Sequence, residues 1–287
     1  MAMPRVETTP WAAPRRRAED LHARHDFATD VLTLYVALVD VWETAWADAR
    51  SDLTTSTDGS APPERLAAWA ADRVLPRVVS ATAEAGPKPL VEQLMTMPID
   101  DRSGAEQLVA AWLRGEDLEP VERYLARSTT RGPLEAVDAG SACAADPSSR
   151  GDRRCPDCGG PPQVSVRADT GDALVNGSRQ LQCARCGGSW AFSGSTCAAC
   201  GESRGGRRTV YAEQRDGPQV GRGSDGEATL PHLRIEACAT CQRYLIDVDL
   251  GRDPQAVPEV DELAALPLDL YAAERGLSKI TPNVMGF

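Results

Sequence analysis

The sequence predicts an α+β chain: an all-helical N-terminal domain, then two tandem strand-built metal modules, then a C-terminal helix. Three observations carry that prediction. Apolar residues recur at helical spacing through the first 135 residues. Four Cys-x-x-Cys pairs, CPDCGG, CARCGG, CAACGE and CATCQR, fall between Cys155 and Cys241. Between those pairs the apolar pattern switches to the period of two that marks strands.

The composition bounds the problem. The chain has 287 residues, 42% of them hydrophobic, with 42 acidic and 31 basic side chains and a formal charge of −11. Two four-thiolate sites holding divalent metal would take that charge to about −15. Such a field does not draw in a phosphate backbone. Eight of the nine cysteines stand in metal-ligand spacing and not as a dispersed disulfide framework, which fits a reducing compartment. Arg15, Arg16 and Arg17 are followed by no apolar export segment, and the most apolar run, Val31 to Val41, is too short to span a bilayer. The expectation is a cytoplasmic protein with a disordered leader over residues 1–17.

In chain order, a helical domain is expected over 18–138. Phe27, Val31, Leu34, Tyr35, Leu38, Val41, Trp42 and Trp46 place one apolar stripe on a helix from Asp26 to Ala49, its core helix. A polar loop follows over Ser51–Ala61. Pro62 and Pro63 open a second helix with Leu66, Ala70, Val74 and Val78 on its buried face, and Pro76 kinks or ends it. A short helix is expected over Pro89–Met97. Ser103 and Glu106 read as a capping box for a helix that Gly115 stops, and Pro120 opens another through Tyr124 and Leu125. This gives four to six helices, with the aromatic residues as core. His22 and His25 read as solvated helix-end residues, and His232 as a loop residue before a strand. Residues 139–154 are small, polar and turn-rich and read as a linker, in which Cys143 is an unligated thiol.

The first metal module is expected over 155–194. Its plan is a knuckle at Cys155–Cys158, the alternating segment Gln163–Val166, a Gly/Asn turn, and Leu181 leading into a knuckle at Cys183–Cys186. The second, over 195–250, repeats it: Cys197–Cys200, Thr209–Tyr211, a Gly-rich loop, and Leu233–Ile235 leading into Cys238–Cys241. Knuckle, strand, loop, strand, knuckle is the zinc-ribbon or rubredoxin-like plan. Only sequential pairing yields two units of like build. Site one is therefore assigned to Cys155, Cys158, Cys183 and Cys186, and site two to Cys197, Cys200, Cys238 and Cys241. Gly159, Gly187 and Gly201 follow three knuckles and permit positive φ; Gln242 follows the fourth, which is expected to be less regular. Over 251–287, Leu263, Leu266, Leu270 and Tyr271 lie on one face of a last helix between Pro258 and Gly276, kinked or started late by Pro267, before an extended tail.

A closed four-sulfur shell leaves no open position for water, so metal-hydroxide hydrolysis is not expected, and spacing admits Zn and Fe alike. Structural metal contributes roughly 10–16 kcal/mol in small fingers, more than a handful of half-buried Val and Leu at about 1.5–3 kcal/mol each. Nucleic-acid binding is the alternative for ribbon modules. Its support is limited to Arg153 with Arg154, Arg204, Arg207 and Arg208, and to Trp190, Phe192 and Tyr211 as stacking residues. No nucleophile–base pair, carboxylate dyad or phosphate loop stands out.

The order CPDCGGPPQV, LQCARCGGSWAF, CAACGE, LRIEACATCQRYLIDVD, VDELAALPLDLYAAERG resembles the formate dehydrogenase accessory proteins of the FdhE family. The resemblance runs from about Arg154 to the C-terminus and includes Trp190, Arg234, Glu236, Tyr244, Leu245, Asp247 and the Leu-Asp-Leu of the last helix. It implies a helical domain joined to two rubredoxin-like metal modules, with the eight paired cysteines as ligands of Zn or Fe. It also implies a cytoplasmic maturation factor, not an enzyme, that acts on the catalytic subunit of formate dehydrogenase. A redox-active iron protein in molybdoenzyme maturation is the alternative that keeps the same ligands. Ser193–Thr196 and the tail Thr281–Phe287 depart from the family pattern, which bears on partner choice. Trp190, Phe192, Arg234 and Tyr244 are the residues expected to meet a client, in a groove between the domains.

Overall fold

The computed structural model describes residues 9–53, 61–97, 101–143, 151–167, 178–213, 228–284 and 286. The expected hairpin loops at 168–177 and 214–227 lie outside these residues, as do 1–8, 54–60 and 144–150. The chain divides into two compact units, 1–145 and 146–287.

The first unit is helical: α1 (Ala12–Arg24), a 3-10 turn (Asp26–Ala28), α2 (Thr29–Asp52), α3 (Pro63–Arg73), α4 (Leu75–Ala85), α5 (Lys88–Met95), α6 (Arg102–Arg114), α7 (Pro120–Ala136) and α8 (Ala139–Ala142). Helix α2 is the core helix its stripe predicts, burying Val31, Leu34, Tyr35, Leu38 and Trp42, although Phe27 remains exposed. Helix α7 crosses it closely. The Trp42 indole donates to the Ser128 carbonyl at 2.7 Å, and a Cβ on Gly132 would stand 2.5 Å from the Trp42 carbonyl oxygen.

Two local readings change, and a third is decided between its alternatives. The arginine run lies in α1 and not in a disordered leader, because Trp11, Pro14, Ala18 and Leu21 form a buried stripe and Trp11 packs on Trp42 at 5.4 Å. Asp101, not Ser103, caps α6, its carboxylate accepting the Gly104 N–H at 2.6 Å, while Gly115 ends the helix at φ 82° as expected. Pro76 ends the second predicted helix outright, at the start of α4.

Among the described residues, the strands of the second unit form one seven-stranded sheet, built from β1 (Pro162–Arg167), β2 (Arg179–Cys183), β3 (Ser189–Ala191), β4 (Arg208–Ala212), β5 (Leu233–Cys238), β6 (Arg243–Asp249) and β7 (Ser278–Lys279). The order is β3-β2-β1-β6-β5-β4. The hairpins β1–β2 and β4–β5 are the two strand pairs the repeat predicts. They are not separate modules, because β1 runs parallel to β6 and joins them, and β7 pairs with the knuckle end of β6. Helices α9 (Pro258–Leu263) and α10 (Leu266–Glu274) replace the single predicted helix, with Pro267 in the first turn of α10. Tyr271 and Leu268 pack partly on the sheet core, whereas Leu270 is 61% exposed.

Candidate metal centres

The two cysteine quartets come together as the repeat requires. Cys155, Cys158, Cys183 and Cys186 form one group, and Cys197, Cys200, Cys238 and Cys241 the other, each with its ligand atoms within 4.8 Å of one another. In the first, Cys155–Cys186 and Cys158–Cys183 sulfurs stand 3.7 and 3.4 Å apart. In the second, Cys197–Cys241 and Cys200–Cys238 stand at 3.8 Å each. A tetrahedron with metal–sulfur bonds of about 2.3 Å has an edge of about 3.8 Å, whereas a disulfide needs about 2.05 Å. The donor set and its spacing therefore fit a four-coordinate soft metal.

Each quartet is held by repeated backbone turns. The N–H of Gly159, Gly187, Gly201 and Gln242 donates to the carbonyl of Cys155, Cys183, Cys197 and Cys238 at 2.9, 3.2, 2.9 and 2.9 Å. The φ angles at those four positions are 70°, 74°, 79° and 55°. The fourth knuckle thus repeats the same turn, and its expected irregularity is absent: Gln242 takes the left-handed conformation without being glycine. Backbone N–H groups of Gly160, Arg185 and Ala199 point at the sulfurs of Cys158, Cys183 and Cys197 at 3.4, 3.3 and 3.4 Å. These donors favour thiolate over thiol and add to the ligand cage.

The two groups differ in exposure. All four cysteines of the first are buried, while Cys200 is exposed and Cys241 half-buried in the second. Within the first, hydrogen bonding from Cys158 lowers the Cys155 thiol, and hydrogen bonds to Cys155 and its neighbours raise Cys186. In the second, burial pushes Cys238 up, but the N–H groups of Cys241 and Thr240 outweigh it and hold it at about 7. Three of the five flanking arginines are engaged nearby. Arg153 donates to the Ala199 carbonyl, Arg204 binds Glu202, and Arg208 binds Glu236.

The residues expected to meet a client separate into two kinds. Phe192 and Tyr244 are buried, at 7% and 4% exposure, in different apolar clusters. The Tyr244 hydroxyl donates to Asp269 at 2.8 Å, and burial together with that carboxylate raises its pKa. Lys279, on β7, reaches the same Asp269 at 2.9 Å and also contacts Glu262. This buried network ties the C-terminal helices to the sheet. Arg234 lies across from Asp247 in the β5–β6 ladder and donates to it at 2.8 Å, and Trp190 donates to the Asp152 carbonyl at 2.9 Å; both keep part of their surface. His232, read as a loop residue, is buried with Nε2 2.6 Å from Asp261. Cys143 is buried at the end of α8, outside both quartets.

Residues 196–285, which hold the second quartet, match the family model described as FdhE, C-terminal domain. The family this chain resembles is FdhE. An FdhE homolog of Aquifex aeolicus is 31% identical over 133 residues, which are 46% of this chain and 41% of that protein. One from Pseudomonas putida is 33% identical over 132 residues, 46% of this chain and 38% of that protein. The matched segments thus span about two fifths of those relatives. The crystal structure of the FdhE protein from Pseudomonas aeruginosa superposes with a TM-score of 0.58, covering 96% of this chain and 94% of that one at 21% identity. At that identity the likeness speaks for the FdhE fold. It extends the fold over the helical unit, where no sequence motif was available. Of the FdhE-like positions outside the cysteines, Arg234, Glu236, Tyr244, Asp247 and Asp269 turn out to be partners in buried or part-buried ion pairs and hydrogen bonds of the second unit.

Proposed function

We propose that this chain is an accessory factor for formate dehydrogenase, a cytoplasmic adaptor that engages the catalytic subunit during assembly or activation and turns over no substrate of its own. The observation that carries the reading is the FdhE-domain match across 196–285, with the second complete cysteine quartet inside it. The chemistry is compatible with an adaptor. A metal in either quartet would supply a rigid, closed tetrahedral cross-link, and the eight cysteines present would hold it without an open coordination position. Among the described residues no helix is long and apolar enough to cross a membrane.

Trp190 and Arg234 retain the exposure that contact with a client requires, whereas Phe192 and Tyr244 would act from beneath by holding the surface in shape. The redox reading has one observation in its favour: Cys200 is exposed, so the second centre is open to an electron partner. Affinity purification of the tagged full chain from cells making formate dehydrogenase tests the adaptor reading. The catalytic subunit should co-purify, and Cys238→Ser should abolish its recovery. Equal recovery with an untagged control would sink the proposal. A red protein that bleaches on reduction would favour the redox reading over a colourless zinc protein.

A further inference from the structure

The second unit contains a concentration of guanidinium groups that the metal centres do not use. Arg167, Arg179 and Arg208 all converge on one buried carboxylate. Arg167 donates to Glu236 Oε1 at 2.5 Å, and Arg179 and Arg208 donate to Oε2 at 2.6 and 2.8 Å. The neighbouring buried acid, Asp247, is shared by Arg167, Arg234 and the Ser165 hydroxyl, the last at 2.7 Å. Four guanidiniums therefore face two carboxylates. The next acid, Asp249, is itself divided between Arg234 at 3.6 Å and Arg252 at 3.8 Å. Among the described residues the cluster holds two positive charges in excess, inside a chain whose formal charge is −11.

An uncompensated cation that is largely out of water is costly unless an anion reaches it. Arg179 is 4% exposed at its side chain, and its remaining donors go to neutral groups, the Ser165 hydroxyl at 2.9 Å and the carbonyls of Ser193 and Thr196 at 3.0 and 3.1 Å. Its guanidinium lies 5.3 Å over the Phe192 ring, and burial lowers its pKa, with Arg208 and Arg167 adding to the effect. The excess charge opens onto a pocket of about 600 Å³ between β1, β2 and the end of β3, lined by Arg167, Ser178, Arg179, Phe192, Ser193 and Gly194. That volume is in the range of small-ligand sites. Arg167 is one-third exposed, Ser178 and Ser193 bring hydroxyls, and nothing would crowd a Cβ on Gly194. Guanidinium and hydroxyl groups at one mouth are the donors that planar or tetrahedral oxyanions select.

We propose that this pocket is an oxyanion site, taking a carboxylate or phosphate group on Arg167 with the Ser178 and Ser193 hydroxyls beside it, and with Arg179 supplying fixed charge from below. The anion is either a small free molecule or an acidic side chain of a bound polypeptide. The site is independent of the accessory reading.

Isothermal titration of the full metal-loaded chain at low ionic strength tests it, with inorganic phosphate in one arm and a capped Glu-Glu dipeptide in the other. Saturable one-to-one binding is expected in at least one arm. A tighter phosphate arm identifies a free anion, and a tighter peptide arm a polypeptide carboxylate. Arg167→Gln should weaken binding at least tenfold. Because Arg167 also pairs with two buried acids, Ala191→Glu is the second variant: it adds negative charge at an exposed position on the pocket lining and should weaken binding similarly in a chain that still folds. No saturation in either arm, or parental affinity in Ala191→Glu, overturns the proposal.

Discussion

At the scale of single residues, the metal centres depend on two different uses of the position after a knuckle. At the fourth knuckle the left-handed turn is made by Gln242 at φ 55°, at a steric cost that glycine would not bear. Gln242→Gly should therefore stabilise the second unit by roughly 0.5–1 kcal/mol, the relief of strain being partly offset by greater freedom of the unfolded chain. A lower denaturation midpoint in this variant would contradict that assignment. The second glycine of CPDCGG has another duty. A Cβ on Gly160 would lie 2.6 Å from the Cys183 sulfur, 3.0 Å from Arg185 Cβ and 3.2 Å from the Cys158 sulfur. Gly160→Ala is expected to empty the first centre and leave the second filled, so that metal analysis falls from two equivalents per chain to one. Retention of both equivalents would show that the first quartet has slack the distances deny.

At the scale of elements, the helical unit offers a pH test. Tyr124 on α7 is buried, with its hydroxyl 2.5 Å from Thr82 on α4, and burial pushes its pKa up to about 12. The folded chain keeps this proton where the unfolded chain begins to lose it. The contribution is intact below pH about 10 and is lost as pH rises toward 12, about 2–3 kcal/mol in all. Tyr124→Phe should flatten that part of the alkaline unfolding curve; an unchanged slope would assign it to other groups. The same scale shows what was legible in the residues. Proline starts, the Gly115 stop and the α2 stripe predicted helices because they are local rules. The hairpins β1–β2 and β4–β5 showed their period of two. Strand β6 did not, because Tyr244 through Val248 is buried on both faces, so its pattern carries no alternation. Missing β6 hid the step that merges two ribbons into one sheet. It also made Tyr244 look like a surface aromatic, since nothing nearby in sequence announces Asp269 or Lys279 as its partners. The cysteine pairing was readable because the repeat has symmetry; the Glu236–Asp247 arginine cluster was not, because its members come from five strands.

At the scale of the whole molecule, the two units should respond differently to loss of metal. The first buries a continuous apolar core around α2, with Trp11, Leu32, Leu34, Leu38 and Leu125 almost fully enclosed, and it contains neither quartet. The second has apolar clusters of its own, yet both ends of its sheet are gathered by cysteines. Residues Cys183 and Cys238 are the last of β2 and β5, and the knuckle at Cys238–Cys241 leads directly into β6. Without metal, four thiolates within 4.8 Å repel one another and must take up protons or separate. Acidification in the presence of a chelator competes for the same sulfurs and should release metal and unfold the sheet, while the helical unit persists. Circular dichroism should then keep the helical signal, and amide exchange should collapse across β1–β7 before it does across α2 and α7. Restoring zinc or ferrous iron at neutral pH under reducing conditions should recover the protected strands. Loss of helical signal in step with metal release would show instead that the fold of the first unit depends on the second.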